Sequence, residues 1–423
     1  MSKKPLKIGI LGLGVVGAAT VKVLQDNEAI ITARAGRKIE VVLGATKTPE
    51  NVKHLGIKVS SDVNDVLNNP EVEVIVELMG GVDFAYECVK TALLNGKSVV
   101  TANKAMLAYH RSELEGLAKN LHFGYEASVA GGIPVIYALR DGLPANHILS
   151  IKGIINGTCN YILTRMMKEG AGFEDVLAEA QKLGYAEADP TADVGGFDTA
   201  HKLLILASIA YGIDAKPDDI LIEGIAEISA DDIDFAKEYD LTIKLLAIAK
   251  KHDNHTVELR VHPTMISSEH ILADVEGVMN GVAIVGDKVG ETMFYGAGAG
   301  GDATASSVVA NLIEIARSES ATAMLGFNQP LEKDLTLRAK GNISSKYYMR
   351  IRAKDETGVL AKIAGILSAN SVSIENFMQK PKNENALLLI STHVAQEEDI
   401  QKAVNEIAQL SCVVAKPFTM RLD

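Results

Sequence analysis

Short, nearly unbroken apolar runs alternate with stretches of helical pattern through the first third of the chain. Lys7–Leu11, Glu40–Gly44, Val72–Glu77, Ser98–Thr101 and His122–Tyr125 read as buried strands. Between them, Ala18–Gln25, Val63–Asn68, Tyr86–Asn95 and Ser112–Lys119 read as helices. This alternation predicts an α/β unit over residues 1–140 built on a doubly wound parallel sheet. Ligand-handling loops in such a sheet lie at the carboxyl ends of its strands. That rule places Met79-Gly80-Gly81 and Thr101-Ala102-Asn103-Lys104 at the functional edge.

The pattern changes after residue 140. Ser150–Ile155 and Thr256–His262 look like strands, and Cys159–Glu169, Phe173–Leu183 and Asp198–Tyr211 like helices, which predicts a mixed α+β domain over 141–300. Gly296 to Gly301 then opens a helix, Ala303–Arg317, expected to return to the first domain and complete it over about 301–335; a plain glycine loop is the alternative. Residues 318–346 read as a linker. The tail runs strand (Tyr348–Ala353), helix (Val359–Asn370), strand (Ser373–Gln379), strand (Ala386–His393), helix (Glu397–Leu410), strand (Val413–Arg421). That βαββαβ order predicts a ferredoxin-like unit over 347–423, separable from what precedes it.

The first strand runs directly into Gly12-Leu13-Gly14-Val15-Val16-Gly17 and a helix. Gly12 permits the tight turn, Gly14 lets backbone N–H groups approach a pyrophosphate, and Gly17 lets the helix lie close on the strand with its N-terminus toward the anion. This is the Rossmann-type dinucleotide signature. Lys3, Lys4 and Lys7 ahead of an apolar run also suit an export signal, but glycines at this spacing weaken a signal helix and a second strand follows. No uncharged apolar run approaches the roughly twenty residues of a membrane span, so no membrane partner and a cytoplasmic location are expected.

Composition narrows the chemistry. A formal charge of −12 over 423 residues, with Lys and Arg scattered, argues against nucleic acid as the partner. Cys88, Cys159 and Cys412 are too few and too dispersed for a zinc site or a disulfide framework, which suits a reducing compartment. In that setting the Asn156-Gly157-Thr158 glycosylation match is accidental.

Chemistry concentrates between Gly184 and Lys202. Glu187, Asp189 and Asp193 precede a helix that begins near Asp198 and is apolar from Leu203 to Ala207. Asp198 and Lys202 are four apart, hence on one helical face. Lys202 enters the protein on a buried helix, where the positive helix end disfavours its charge and Asp198 favours it. That balance suits a group which gives a proton to a developing alkoxide and takes it back in reverse. The plainer alternative is a capping Asp198 with an i,i+4 ion pair on a solvated loop, and His201 is expected to pack rather than ligate. Lys104, on a loop after the fourth strand, suits a substrate carboxylate, a cofactor phosphate or plain solvent. Glu126 begins a loop whose carbonyls either enclose a hard monovalent cation or simply turn the chain between domains.

Thr101-Ala102-Asn103-Lys104, Glu126 to Pro134, Asn156-Gly157-Thr158, Gly184 to Lys202 and Gly296 to Thr304 together resemble the homoserine dehydrogenase family in order and spacing. The string Glu-x-Asp-Pro-x-x-Asp-x-x-Gly-x-Asp-x-x-x-Lys carries most of that resemblance. The tail, with Asp355-Glu356-Thr357-Gly358-Val359-Leu360 at its first strand-to-helix turn, resembles an ACT domain. The resemblance implies NAD(P)H-dependent interconversion of aspartate 4-semialdehyde and homoserine, in the route to threonine, methionine and isoleucine. It implies Lys202 as acid/base, Asp198 as its orienting partner and a substrate contact, Glu187 and Asp193 for the substrate ammonium, and Lys104 for substrate and cofactor. The cofactor-lining set it implies adds Met79, Gly80 and Gly300 to Leu13, Val15 and Val16. Glu126 with the carbonyls of Val129, Gly131 and Ile133 matches the family's sodium site. A homodimer or homotetramer, with threonine as effector at the tail, is also implied.

Leu43-Gly44-Ala45-Thr46-Lys47 lacks the acid that holds a ribose 2′-hydroxyl, and Thr46 and Lys47 suit a 2′-phosphate, so NADP is expected over NAD. Two other readings share parts of this pattern. A different amino- or hydroxy-acid dehydrogenase has no reason to carry the whole Glu187-to-Lys202 string, and a non-catalytic nucleotide- and amino-acid-sensing protein would bind cofactor without hydride transfer.

Overall fold

The structure is a computed structural model that describes residues 4–253, 255–329, 335–382 and 385–423. Lys3 and residues 330–334 of the expected linker lie outside the described residues. The chain divides into two compact units, residues 1–149, 201–217 and 279–334 in one, and 150–200, 218–278 and 335–423 in the other. Residues 201–217 and 279–300, read from the pattern as part of the middle domain, therefore cluster with the first unit.

The first unit is built on a parallel sheet of strands β1 (Leu6–Leu11), β2 (Ile39–Ala45), β3 (Val59–Ser60), β4 (Val74–Glu77), β5 (Ser98–Thr101) and β6 (Phe123–Gly124). Their order, β3-β2-β1-β4-β5-β6, reverses direction at β1, as the doubly wound prediction requires. The crossing helices are α1 (Val15–Asp26), α2 (Glu28–Ala35), α3 (Val63–Leu67), α4 (Asp83–Leu94) and α5 (Lys104–Leu117). Ile8, Ile10 and Leu11 of β1 are fully buried, and Val21 and Leu24 of α1, one helical turn apart, join Ile8 and Ile10 in one core. Each such side chain contributes about 1.5–3 kcal/mol. The helix Gly301–Arg317 returns to this core through Val308, Leu312 and Ile315, as expected from the glycine run before it. The antiparallel pair Met279–Gly286 and Gly290–Ala297 precedes it; the Gly-rich pattern hid both strands.

In the second unit, the helices Gly157–Glu169 and Phe173–Lys182 fall as predicted, while the strand Leu241–Lys251 and the helix Ala230–Glu238 do not appear in the sequence reading. Leu241–Lys251 pairs antiparallel with Thr256–Ser267. The tail's strands take the ferredoxin-like order, Phe418–Leu422, Ser344–Lys354, Asn385–Thr392, Ile374–Lys382. Three expectations need correction. The last strand begins at Phe418 rather than Val413, which makes only an isolated bridge to Ala353. Thr336–Leu337, inside the expected linker, pairs with Thr256–Val257. The tail is also not detached, because Arg421 and Leu422 pair in parallel with Thr264 and Met265 and extend one sheet across both parts.

Candidate active site

At the end of β1 the backbone of Gly12 turns at φ +90, and a Cβ there would sit 2.7 Å from the Leu78 carbonyl oxygen and 2.9 Å from the Met79 Cα. No other residue fits, and the turn brings Met79 against the glycine loop. A Cβ on Gly17 would overlap the Gly12 carbonyl oxygen, so α1 lies directly on the turn. Gly14 caps α1 and faces open space, and Val15 beside it is 78% exposed. Leu13 is different: its side chain is buried in the core, so only its backbone faces the loop. Gly300 caps the helix Gly301–Arg317, and a Cβ on Gly301 would lie 3.1 Å from Val15 Cγ1. Gly14, Val15 and Gly300 thus converge on one open rim at two helix starts, a cradle that fits a pyrophosphate. At the end of β2, Thr46 is half-buried and Lys47 is exposed.

A buried carboxylate not singled out in the sequence shapes the adjoining loops. Glu77, at the end of β4, accepts from the Thr101 hydroxyl at 2.6 Å and the Met79 N–H at 2.8 Å. Burial pushes its carboxyl above the usual range, against these hydrogen bonds, which favour the ionised form. Asn103 donates to the Gly81 carbonyl at 2.7 Å and accepts from the Met106 N–H at 3.1 Å. That second bond is an N-cap, and it starts α5 at Lys104 instead of Ser112. Lys104 is therefore not a loop residue; it is the half-buried first residue of a helix, next to loops pinned by Glu77 and Asn103.

The carboxylate block sits in the second unit. Asn156 caps the helix Gly157–Glu169 by accepting from the Cys159 N–H at 2.8 Å, and its amide donates to Asp193 at 2.7 Å and to Asp198 at 2.9 Å. One side chain thereby fixes two of the predicted substrate carboxylates. Asp193 lies in the short turn Thr191–Val194, and its carbonyl also meets the Cys159 thiol at 3.2 Å. Glu187 and Asp189 remain exposed; the Glu187 carbonyl is held by Gln181 at 3.1 Å, and Asp189 accepts from Thr191. The cap at Asn156 was missed in the sequence, although an Asn between a strand and a helix is its local signal; its reach to two acids has no such signal.

Asp198 and Lys202 stand one turn apart on the helix Phe197–Tyr211, each 8% exposed. Leu203 to Ala207 are almost fully buried, as the apolar run predicts. Within the first unit this helix lies against α5, since Arg111, itself buried, donates to Ser208 at 2.6 Å and to the Ala215 carbonyl. His201 packs edge-on against Tyr109 with ring centroids 5.6 Å apart. The helix carrying Lys104 and the helix carrying Lys202 are thus braced together by Arg111, a residue missed in the sequence.

Glu126 is buried, and its two carboxylate oxygens accept from the N–H groups of Ile136 and Tyr137 at 2.9 and 2.8 Å. Burial pushes its carboxyl up to about 7. The Gly131 carbonyl accepts from Ser307 at 2.7 Å and the Ile133 carbonyl from the Val135 N–H at 2.8 Å, and Val129, ahead of both in sequence, is fully buried. Among the described residues no group of three or more His, Cys, Asp or Glu forms a metal cluster. The donors this loop offers, one buried carboxylate and backbone carbonyls, are hard oxygens, whose chemistry suits a monovalent cation rather than a transition metal. Cys88, Cys159 and Cys412 are buried and form no disulfide.

Residues 134–313 match the homoserine dehydrogenase family, residues 12–126 the homoserine dehydrogenase NAD-binding domain, and residues 347–412 the ACT domain. A homoserine dehydrogenase of Helicobacter pylori is 51% identical over 423 residues, spanning 100% of both chains. The crystal structure of a homoserine dehydrogenase from Thiobacillus denitrificans superposes with a TM-score of 0.94 at 42% identity, covering 100% of this chain and 99% of that one. A hyperthermophilic archaeal homoserine dehydrogenase in complex with NADPH superposes at 0.63 with 28% identity, over 77% of this chain and 100% of that one.

Proposed function

The chain belongs to the homoserine dehydrogenase family, with an NAD-binding and an ACT domain, and from that premise we propose that it interconverts L-aspartate 4-semialdehyde and L-homoserine with NADP(H), on the route to threonine, methionine and isoleucine. The observation that carries this reading is the burial of Lys202 one turn from Asp198 on a single helix, with Asp198 held by Asn156. The nicotinamide, when bound, supplies or accepts the hydride. Lys202 gives its proton to the oxygen of the aldehyde as the alcohol forms and takes it back in reverse. Asp198 orients that ammonium and contacts substrate; Asp193, with Glu187, pairs with the substrate ammonium, and Lys104 with its carboxylate.

Gly12, Gly14 and Gly17 would hold the pyrophosphate, with Val15, Val16, Met79, Gly80 and Gly300 along the cofactor and the Leu13 backbone beneath it. Thr46 and Lys47 would receive a 2′-phosphate, a preference for NADP supported by the absent acid after β2 and by NADPH in the archaeal relative. Glu126 with the Val129, Gly131 and Ile133 carbonyls would seat sodium or a similar monovalent ion and neutralise a buried carboxylate. At the tail, the exposed turn Asp355 to Leu360 would take threonine as effector, and the edge strand Ile374–Lys382, with Phe377 37% exposed, supports self-association into a homodimer or homotetramer. The cytoplasm is the location these roles suit. The direct test is oxidation of NADPH and of NADH on addition of aspartate semialdehyde. Cofactor binding without turnover would favour a sensor over an enzyme.

A further inference from the structure

We propose that Glu223 and Arg421 are positioning residues for Asp193 and Asp198, a role that rests on reading those carboxylates as substrate-handling groups. Arg421 is fully buried in the strand Phe418–Leu422, where its guanidinium pairs with Glu223 through both terminal nitrogens, at 2.8 Å from Nη2, and with Glu397 at 2.6 Å. Glu397 is itself buried and accepts from the Tyr347 hydroxyl at 2.7 Å. Burial works to raise the Glu397 carboxyl, yet the Arg421 charge and the hydrogen bonds hold it below its ordinary value. Two members of the triad are locked inside the tail. The half-buried Glu223 is the member that reaches out of it.

Glu223 opens the segment Glu223-Gly224-Ile225, and this segment clasps the turn Val194–Gly196. The Ile225 N–H donates to the Val194 carbonyl at 2.9 Å. A Cβ on Gly224 would overlap that same carbonyl oxygen and approach the Gly195 Cα to 2.9 Å, while a Cβ on Gly196 would lie 3.3 Å from the Glu223 carbonyl oxygen. The clasped turn joins Asp193 to Asp198, the two acids that Asn156 bridges. A cavity of about 440 Å³, lined by Val194, Gly195, Gly224, Lys416 and Phe418, opens against the clasp. Side-chain packing therefore does not back it from that side. The backing comes from the Glu223 N–H bond to the Val261 carbonyl at 2.8 Å and from the Arg421 ion pair. A charge in the last strand thus sets where the carboxylates stand, although it touches neither.

In the full-length enzyme, Glu223→Gln should raise the KM for aspartate semialdehyde roughly tenfold while leaving the KM for NADPH and the melting temperature near wild type. Arg421→Met should raise the same KM further, with a lowered melting temperature because buried Glu397 loses its partner, and Arg421→Lys should recover part of both. Asp193→Asn serves as the reference variant and should raise the same KM. If Asp193→Asn raises it and Glu223→Gln does not, the positioning role is overturned and the reading of the carboxylates stands. If Asp193→Asn itself leaves the KM unchanged, the carboxylate reading falls and the proposal with it. A loss in Glu223→Gln confined to the fraction of active enzyme, with unchanged KM, would show a merely structural pair and also overturn it.

Discussion

The Asn156 amide donates to Asp198 at 2.9 Å from a side chain that also caps a helix and reaches Asp193. A helix start and both ends of the turn from Asp193 to Asp198 are thereby set by one planar group. Asn156→Ala removes the cap, worth about 1 kcal/mol, and releases both acids from that group. The expected outcome is a melting temperature lowered by a few degrees, by about 1 kcal/mol, with kcat/KM for the semialdehyde reduced by roughly 10- to 100-fold. Asn156→Ser, which retains a cap but not the double reach, should recover stability and not catalysis. Recovery of both would mean that the bridge to the carboxylates has no part in turnover.

Lys202 is held on a buried helix with Asp198 one turn before it. Lys202→Met should leave NADPH binding, followed by its fluorescence, near wild type while lowering turnover by roughly 10²- to 10⁴-fold, the range for loss of a general acid. Turnover within a few-fold of wild type would remove Lys202 from the mechanism. Lys104→Ala should weaken semialdehyde use without that collapse in turnover, and unchanged kinetics would make Lys104 a solvated helix-start lysine.

The sequence and the structure agree most closely where one local pattern decides the outcome. The strand running into Gly12, Gly14 and Gly17 needs no distant partner to be read, because the turn, the close approach and the helix are all adjacent in the chain. Buried residues Leu203 to Ala207 follow in the same way from an apolar run. Lys104 was misplaced because Asn103, a helix cap, also belongs to the Glu77 network, and a cap shared with a distant strand carries little local signal. Asn156 reaches Asp193, Arg111 reaches Ser208 and Arg421 reaches Glu223 across 37 or more residues of sequence, partners that no spacing rule connects. The tail's attachment was hidden for the same reason: its last strand pairs with Thr264 and Met265, more than a hundred residues earlier.

The proposed preference for NADP rests on Thr46 and Lys47 at the end of β2, half-buried and exposed respectively. Thr46→Glu supplies the acid that a ribose 2′-hydroxyl favours and a 2′-phosphate does not. It should lower kcat/KM with NADPH by at least tenfold more than with NADH, and Lys47→Ala should shift the ratio in the same direction. Equal losses with the two cofactors would place the phosphate elsewhere.

The turn Asp355 to Leu360 is largely exposed, with Gly358 in the left-handed region at φ +87 capping the helix Val359–Ala369. If threonine acts there, Asp355→Ala should keep basal turnover and lose inhibition by millimolar threonine, measured as the change in initial rate. Full-length enzyme indifferent to threonine would end this assignment, whatever the variant does.

Glu126 offers a test of the cation through the proton that competes with it. Its folded carboxyl is raised to about 7 by burial, well above an exposed glutamate. Without a cation, the folded state therefore holds this proton more tightly than the unfolded chain does. The stability Glu126 contributes in this way is fully present below the unfolded value near 4.5 and is lost as pH rises through about 7. Sodium bound to the ionised carboxylate, with the Gly131 and Ile133 carbonyls, would offset that loss and would bind more tightly as the proton leaves. The melting temperature should rise on replacing tetramethylammonium by sodium at pH 8, and much less at pH 5.5. In Glu126→Gln neither proton nor charge remains, so the sodium effect should vanish at both pH values. A sodium effect that is the same at pH 5.5 and 8, or that survives Glu126→Gln, would place the ion at another site.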